Sequence, residues 1–287
     1  MDNILLSYLT DPLFAGSPSL SDRMEWVTVG NKRILAQIPT PTDKTLVPAK
    51  IGILAEFSRD NFSIAADMNW VGMDDPLHLC FGTGQLSRAS DTLAAISWPG
   101  ILDGLHRLQA KLPAEVLANT HGPIVDGKVN ISHQYFMEIY GNDDNVGSLD
   151  VISGDLIYTS EHEDLFSLTN WPANTVDRRQ SLIAMEDHFK VNPLPVFDNS
   201  GRLLHPCDYE RYLKGAFVAM DIMLSHQVVA NTGVGMVVAH IDRIEILRKP
   251  LRIEKSLTAC RMPYDLSEAN AHYNTLPGSC HGCSTRY

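Results

Sequence analysis

Alternation of apolar and polar residues is the clearest pattern in the first part of this sequence. Two runs that suit strands, residues 26–29 and 34–38, flank Gly30-Asn31, and this arrangement predicts a β-hairpin. Residues 49–57 and 62–71 are also rich in the apolar residues that strands favour. The pattern therefore predicts mainly β-structure in this part of the chain.

The longest alternating runs lie late in the chain. Residues 216–224 place alternate side chains on two faces of a predicted strand, and residues 236–247 do the same after a glycine-bearing loop. In the second run the apolar residues change from odd positions, such as Ile241, to even positions, such as Ile244. A shift of one residue predicts a β-bulge near Asp242-Arg243.

One region, residues 88–118, has helical periodicity instead. Ser90 and Asp91 are suitable caps for a first short helix, and Pro99 is expected to open a second one. An apolar stripe at spacings of three and four residues follows Pro99. Its members are Ile101, Leu102, Leu105, Leu108 and Leu112.

These patterns predict a mainly β protein of the α+β class. The expected architecture is an OB-like barrel or a curled antiparallel sheet, with a helical insertion near 88–118. Residues 1–255 form the predicted core domain. Residues 256–287 contain three of the five cysteines and form a predicted C-terminal tail.

Composition and net charge exclude several classes of protein. Hydrophobic residues make up 44% of the chain and charged residues 20%, which excludes a fully disordered protein. No run approaches 18 apolar residues, so no membrane helix is expected, and the cysteine content suits an intracellular compartment. The formal net charge of −11 excludes binding of polyanions through bulk charge alone.

Residues 195–247 resemble the closing portion of OB-fold single-strand-binding proteins. The resemblance lies in a Phe-Asp-x-x-Gly turn, a short helix, a Lys-Gly-Ala entry to a long strand, a glycine-bearing loop and an Ile-x-x-Ile-x-Ile-Leu strand. The matching residues are Phe197, Asp198, Gly201, Lys214, Gly215, Ala216, Gly233, Gly235, Ile241, Ile244, Ile246 and Leu247. The segment Tyr209–Ala216 also resembles an uncharacterised multi-copy family of mushroom-forming fungi, which suggests a mobile-element origin.

The first resemblance implies an OB-like barrel that binds single-stranded DNA or RNA. Such sites combine a basic groove with aromatic side chains that stack on bases. The residues expected to fill these roles are Lys214, Phe217, Arg243, Arg248, Lys249 and Arg252. The alternative is that the basic side chains form a solvated strand edge that prevents pairing with other strands.

The tail contains the sharpest local motif, Cys280-His281-Gly282-Cys283. Two thiolates at this spacing can both reach one tetrahedral ion, and Cys260 and His272 would complete a structural zinc site. The alternatives are a redox dithiol and reduced cysteines without a metal.

His240-Ile241-Asp242 has the His-x-Asp form of a non-haem Fe(II) site of the 2-oxoglutarate-dependent type. On a regular strand the two side chains share a face, and His272 or His281 would supply the third ligand. The alternative is a half-buried histidine with a hydrogen-bonded ring. No nucleophile elbow or phosphate loop is present, so binding is favoured over catalysis. A structural or assembly protein, as a possible homo-oligomer, is a further alternative.

Overall fold

The fold comes from a computed structural model that describes residues 2–39, 45–66, 77, 81–139, 166–173 and 175–250. Strands dominate these residues, as the alternating patterns predict. The strands are β1 Met24–Val29, β2 Lys32–Gln37, β3 Val47–Pro48, β4 Ile51–Phe57, β5 Phe81–Ser87, β6 Thr120–His121, β7 Ile124–Val125, β8 Lys128–Gln134, β9 Phe136–Glu138, β10 Phe189–Val191, β11 Val196–Phe197, β12 Phe217–Val228 and β13 Gly235–Arg248. The α-helices are α1 Asp2–Thr10, α2 Thr92–Ala110, α3 Ala114–Leu117, α4 Val176–Ala184 and α5 Tyr209–Leu213.

Five of the strands pair in a ring, in the order β12-β4-β5-β8-β13, and β13 pairs back with β12. Four of these junctions are antiparallel, and the β8–β13 junction is parallel. The β4–β5 and β8–β13 junctions consist of two residue pairs each, so the ring is partial rather than a clean barrel. A five-stranded, partly open barrel is the architecture of the OB-fold, so the predicted OB-like barrel is confirmed at this level.

The strands of the ring are strongly staggered. Phe217 pairs with Glu56, and Glu56 pairs with Ser87. Extending the β5–β8 and β8–β13 registers by one and three residues aligns Ser87 with Lys128, and Lys128 with the level of Met236, whose own partner on that edge is His121. Met236 pairs with Gln227, so one circuit of the ring advances ten residues along β12. A stagger of this kind tilts the strands and allows a small ring to close.

The sheet as a whole is mixed rather than antiparallel. β6, β8 and β11 all pair with β13 in parallel, along the edge that does not contact β12. The hairpin of β1 and β2 joins the sheet beside β12, through Ser225 and Ile34. The hairpin prediction around Gly30-Asn31 is therefore confirmed.

The predicted bulge lies in the long hairpin of β12 and β13. Asp221 pairs with Arg243, and the next residue, Ile222, pairs with Ile241, so Asp242 has no partner in the ladder. The switch in apolar parity thus keeps the apolar side chains of β13 on the core side of the ring on both sides of the bulge.

The helical insertion is one long helix rather than two. α2 begins after Asp91, whose carboxylate accepts hydrogen bonds from the backbone N–H groups of Leu93 and Ala94. Pro99 lies inside α2, so the expectation that it opens a second helix is wrong. The capping prediction for Asp91 is confirmed, and residues 114–117 form the separate short helix α3.

One further strand prediction differs from the structure. Residues 62–66 form no strand, and residues 67–71 lie outside the described part of the chain. This segment follows β4, and the Ser63 backbone N–H donates to the Thr83 carbonyl at 2.7 Å. Ile64 is buried against the core. Its apolar residues therefore serve the core without a regular ladder.

Candidate nucleic-acid interface

The outward side chains of β5 and β8 form one continuous surface, called here the β5–β8 face. The two strands are adjacent and antiparallel, with Thr83 opposite Ser132 and Gln85 opposite Asn130. Side chains directly opposite each other lie on the same side of a sheet. The face consists of Phe81, Thr83, Gln85 and Ser87 from β5, and Lys128, Asn130, Ser132 and Gln134 from β8, of which Ser132 has a buried hydroxyl.

Strict alternation places these side chains outward. Between them, Leu86, Val129 and Ile131 are buried in the core. At Gly82, an added Cβ would lie 2.7 Å from the ring of Tyr135, and at Gly84 it would lie 3.0 Å from Ile64. Glycine on the inner side of β5 thus lets these two side chains approach the strand closely.

The β5–β8 face contains no carboxylate, and its one charged residue is Lys128. The whole chain has 34 Asp and Glu against 23 Lys and Arg. A protein with this excess of acids can bind a polyanion only on a surface from which the acids are absent. The eight positions of the face form such a surface, and Glu56 on β4, opposite Ser87, is the carboxylate beside it.

Phe81 exposes 41% of its area at one end of the face. It is the one aromatic residue among the large hydrophobic residues exposed in the described part of the chain. Its ring lies on a face otherwise built of amides, hydroxyls and one ammonium group. An exposed aromatic ring in polar surroundings can stack on a base of a single strand.

Three amide side chains are linked in series beside the face. The Asn61 side-chain N–H donates to Gln85 Oε1 at 3.1 Å, and the Gln85 side-chain N–H donates to Asn130 Oδ1 at 2.9 Å. Asn61 has a φ of 53° in the segment after β4, a conformation that asparagine tolerates better than most residues. We call this series the amide relay. It fixes the orientation of two amides on the face.

Basic side chains gather where the face meets the end of the ring. Arg88 is exposed directly after β5, and Lys128 begins β8. Arg248 ends β13 opposite Phe217, whose other neighbour is Glu56 on β4. We call this region the basic end. Its four cations without a carboxylate partner within 4 Å, among the described residues, are Arg88, Lys128, Arg248 and Lys249.

The carboxylate at the basic end is engaged locally. Glu56 accepts hydrogen bonds from the backbone N–H of Ser90 at 3.2 Å and from its hydroxyl at 3.0 Å. Arg248 donates to the same Ser90 Oγ at 2.6 Å. Ser90 therefore bridges the start of the helical insertion to β4 and β13, and holds the Arg248 guanidinium in place.

The structure brings three of the sequence-predicted residues to this basic end. Lys249 Nζ lies 4.8 Å from the centre of the Tyr212 ring, a cation–π contact. Lys214 follows α5 and lies 3.8 Å from Glu210. Together with Arg248 these lysines border the ring at the end where β12 begins.

Phe217 does not provide an open stacking surface, so that prediction needs correction. Its side chain is 2% exposed, and the Arg248 guanidinium lies 5.5 Å from the centre of its ring. Alternation along β12 correctly separates its face from that of Val218. The face is covered there, and a ring in this position packs in the core instead of stacking on a base.

Two other predicted residues lie elsewhere. Arg243 is exposed beside the bulge, where its guanidinium lies 4.5 Å from the centre of the Phe197 ring and 2.9 Å from Glu245. It is neutralised by that carboxylate and lies away from the basic end. Arg252 is outside the described residues.

His240 and Asp242 take different partners, which argues against the predicted iron site. His240 Nε2 lies 2.7 Å from Ser225 Oγ, whereas Asp242 lies 2.9 Å from Lys50 Nζ. The bulge at Asp242 interrupts the alternation that would place both side chains together. No group of three metal-ligating side chains occurs within the described ranges. The remaining candidate ligands, His272 and His281, lie outside them.

Asp242 belongs instead to a polar cluster between α1 and the sheet. Burial raises the pKa of Asp221 to about 6, and the hydrogen bond from Tyr8 opposes this shift. Burial and the nearby Asp221 hold the pKa of the Tyr8 hydroxyl far above its ordinary value. Lys50 and Arg243 supply the compensating positive charge. The hydrogen bond between Tyr8 and Asp221 joins α1 to the sheet in this cluster.

The predicted zinc ligands Cys260, His272, Cys280 and Cys283 all lie outside the described residues. The zinc site therefore stays a prediction. Within the described residues, no helix is long and apolar enough to cross a bilayer.

The sequence reasoning missed the β5–β8 face altogether. Residues 128–132 alternate polar and apolar side chains, which is a usable strand signal, and the polar His133 then occupies the next inner position. Residues 81–87 carry glycines at two of the inner positions, so their apolar face is nearly invisible in the sequence. The adjacency of these strands, about 40 residues apart, depends on the fold of the whole ring.

Comparison with known proteins finds similarity at the level of structure and not of sequence. No family profile and no curated protein matches the sequence. The structure is similar to that of gp2.5, a single-stranded DNA-binding protein encoded by bacteriophage T7, with a TM-score of 0.38 and 9% sequence identity. The similarity covers 83% of this chain and 100% of that chain.

Proposed function

We propose that this protein binds single-stranded nucleic acid across the β5–β8 face. The observation that supports the proposal most is the exposed Phe81 ring on a carboxylate-free surface of a strongly acidic chain. In a five-stranded OB-type ring, the second and third strands carry this kind of binding surface. In chain order, β5 and β8 are the second and third strands of the ring here.

Different parts of the surface are suited to the bases and to the phosphates of a bound strand. Phe81 offers a π-face on which a base can stack, and amides of the face offer donors and acceptors to base edges. The basic end offers Lys128 and Arg88 to the phosphates of the same strand. Four residues of extended β5 separate Phe81 from Gln85, a distance of about 13 Å. The surface thus accommodates several nucleotides.

Binding of a labelled single-stranded 20-mer, followed by fluorescence anisotropy, tests the proposal. We expect affinity to fall as salt rises, with a slope that drops by about 0.7 in Lys128→Ala if one phosphate contact is lost. Phe81→Ala is expected to weaken binding by about 1–3 kcal/mol, the usual worth of one stacked base.

Leu6→Ala is the matched control, because Leu6 is a 53% exposed apolar residue on α1, away from the face. It is expected to leave the affinity unchanged. If neither DNA nor RNA binds at low salt, or if Leu6→Ala weakens binding as much as Phe81→Ala, the proposal is wrong.

A further inference from the structure

The amide relay lies in the middle of the β5–β8 face, between Phe81 and Lys128. Each side-chain N–H donates to the carbonyl oxygen of the next amide in the structure: Asn61 to Gln85, and Gln85 to Asn130. The last member, Asn130, therefore receives a hydrogen bond on its oxygen. Both of its side-chain N–H donors are without a partner among the described residues.

This arrangement makes the Asn130 side chain a donor toward the surface. An amide that is free to turn can present either its oxygen or its nitrogen, so it pairs equally well with donors and acceptors of a base. An amide whose oxygen is held at 2.9 Å by Gln85 loses that choice. Asn130 is half-buried, which strengthens the preference for a satisfied donor.

We infer that the amide relay gives the face a preference for bases that present a keto oxygen over bases that present an amino group. This inference rests on the proposed function. Uracil and thymine present an acceptor oxygen at position 4, where cytosine presents an amino donor. An N–H donor makes a favourable hydrogen bond with the oxygen of uracil or thymine. Toward the amino group of cytosine, the same donor brings two hydrogens face to face, which is unfavourable. Asn130 supplies that donor, and Gln85 and Asn61 hold it in orientation.

A pair of oligonucleotides separates this preference from stacking and from charge. A 12-mer of deoxyuridine and a 12-mer of deoxycytidine have the same backbone and rings of the same size. They differ in the group at position 4 of the base, a keto oxygen or an amino group, and in whether the adjacent ring nitrogen carries a hydrogen. The measurement is the ratio of the two dissociation constants by anisotropy at pH 7.5, at low and at moderate salt. Tighter binding of the deoxyuridine 12-mer is expected, by about three- to ten-fold, the worth of one hydrogen bond.

Two variants address the relay directly. Gln85→Leu releases the Asn130 oxygen and Asn130→Leu removes the donors, so both are expected to bring the ratio close to one. Asn3→Leu is the matched control, since Asn3 is an exposed amide on α1, outside both the face and the relay. Its ratio is expected to equal that of the wild type. Urea unfolding of each variant verifies that the fold is intact.

If Gln85→Leu does not fold, Asn61→Gly replaces it. Glycine accepts the φ of 53° at this position without strain and removes the first amide of the relay. A ratio of about one or a reversed ratio in the wild type would overturn the inference, and so would a ratio that persists in the relay variants. In those cases the proposed function stands. If neither 12-mer binds at low salt, the proposed function itself fails.

Discussion

Phe81 and Phe217 lie on the same side of the sheet, yet their surroundings differ. Phe217 pairs with Glu56 and Arg248, and the guanidinium covers its ring. Phe81 pairs with Gln134 at the open end of the face and is 41% exposed. Local alternation assigns a residue to a face, whereas its exposure depends on which distant side chains lie over it. The sequence therefore identifies Phe217 as a candidate and overlooks Phe81.

Two histidines, the buried His133 and the half-buried His240, lead to a prediction about stability and pH. Burial lowers the pKa of His133 and of His240 to about 4. The unfolded chain binds a proton at each histidine below about pH 6.5, whereas the folded chain stays neutral until about pH 4. Unfolding takes up protons in this window, so the free energy of unfolding falls as the pH falls through it. We expect a loss of about 2–4 kcal/mol between pH 7 and 5, measured by urea unfolding.

Glutamine variants isolate the histidine contribution. In His133→Gln and His240→Gln, the free energy of unfolding is expected to depend less steeply on pH between 7 and 5. Asp221, with its raised pKa, acts in the opposite direction, but equally in all the proteins compared. His106→Gln, at an exposed position on α2, is the control and is expected to keep the wild-type slope. Parallel slopes in wild type, His133→Gln and His240→Gln would contradict the account.

At the scale of elements, helix α2 packs on the chain near Ala15 through two glycines. A Cβ added at Gly104 would overlap the Ala15 carbonyl oxygen, a backbone atom that cannot move aside easily. At Gly100 the nearest atom would be the Gly16 Cα at 3.6 Å, an ordinary contact. The same substitution, made one helical turn apart, therefore has opposite consequences.

We expect Gly104→Ala to lower the free energy of unfolding by about 1–3 kcal/mol through overpacking. Gly100→Ala is expected to raise it by up to about 1 kcal/mol, because alanine has the higher helix propensity. Thermal and urea unfolding measure both effects. Equal effects of the two substitutions would show that α2 does not pack on Ala15 in this way.

The sequence predicts features of helices and strands where neighbouring residues alone determine them. The parity switch around Asp242 indicates the bulge, and Asp91 indicates the start of α2. Pro99 was misread, because proline is favoured at the first helical turn yet lies within α2 here. Pro99 lacks a backbone N–H and so loses one hydrogen bond of the helix. The burial of Trp98 and Ile101 on the same helix stabilises the fold by more than this loss costs.

At the scale of the whole molecule, the ring depends on pairings that no local pattern contains. β8 pairs in parallel with β13, more than 100 residues later, and one circuit advances ten residues along β12. An OB-like barrel could be expected from the closing hairpin alone. The members of the binding face could not, because β5 and β8 become neighbours through the ring. The absence of carboxylates there is likewise a property of the assembled face.

Crosslinking of a bound single strand tests the central proposal most directly, because it locates the contact. A 12-mer containing 5-iodouracil is bound at low salt and irradiated, and the attached peptides are identified by mass spectrometry. The account predicts attachment within residues 81–87 and 128–134, with loss of the first site in Phe81→Ala. Attachment confined to other parts of the chain, such as α1 or α4, would contradict it.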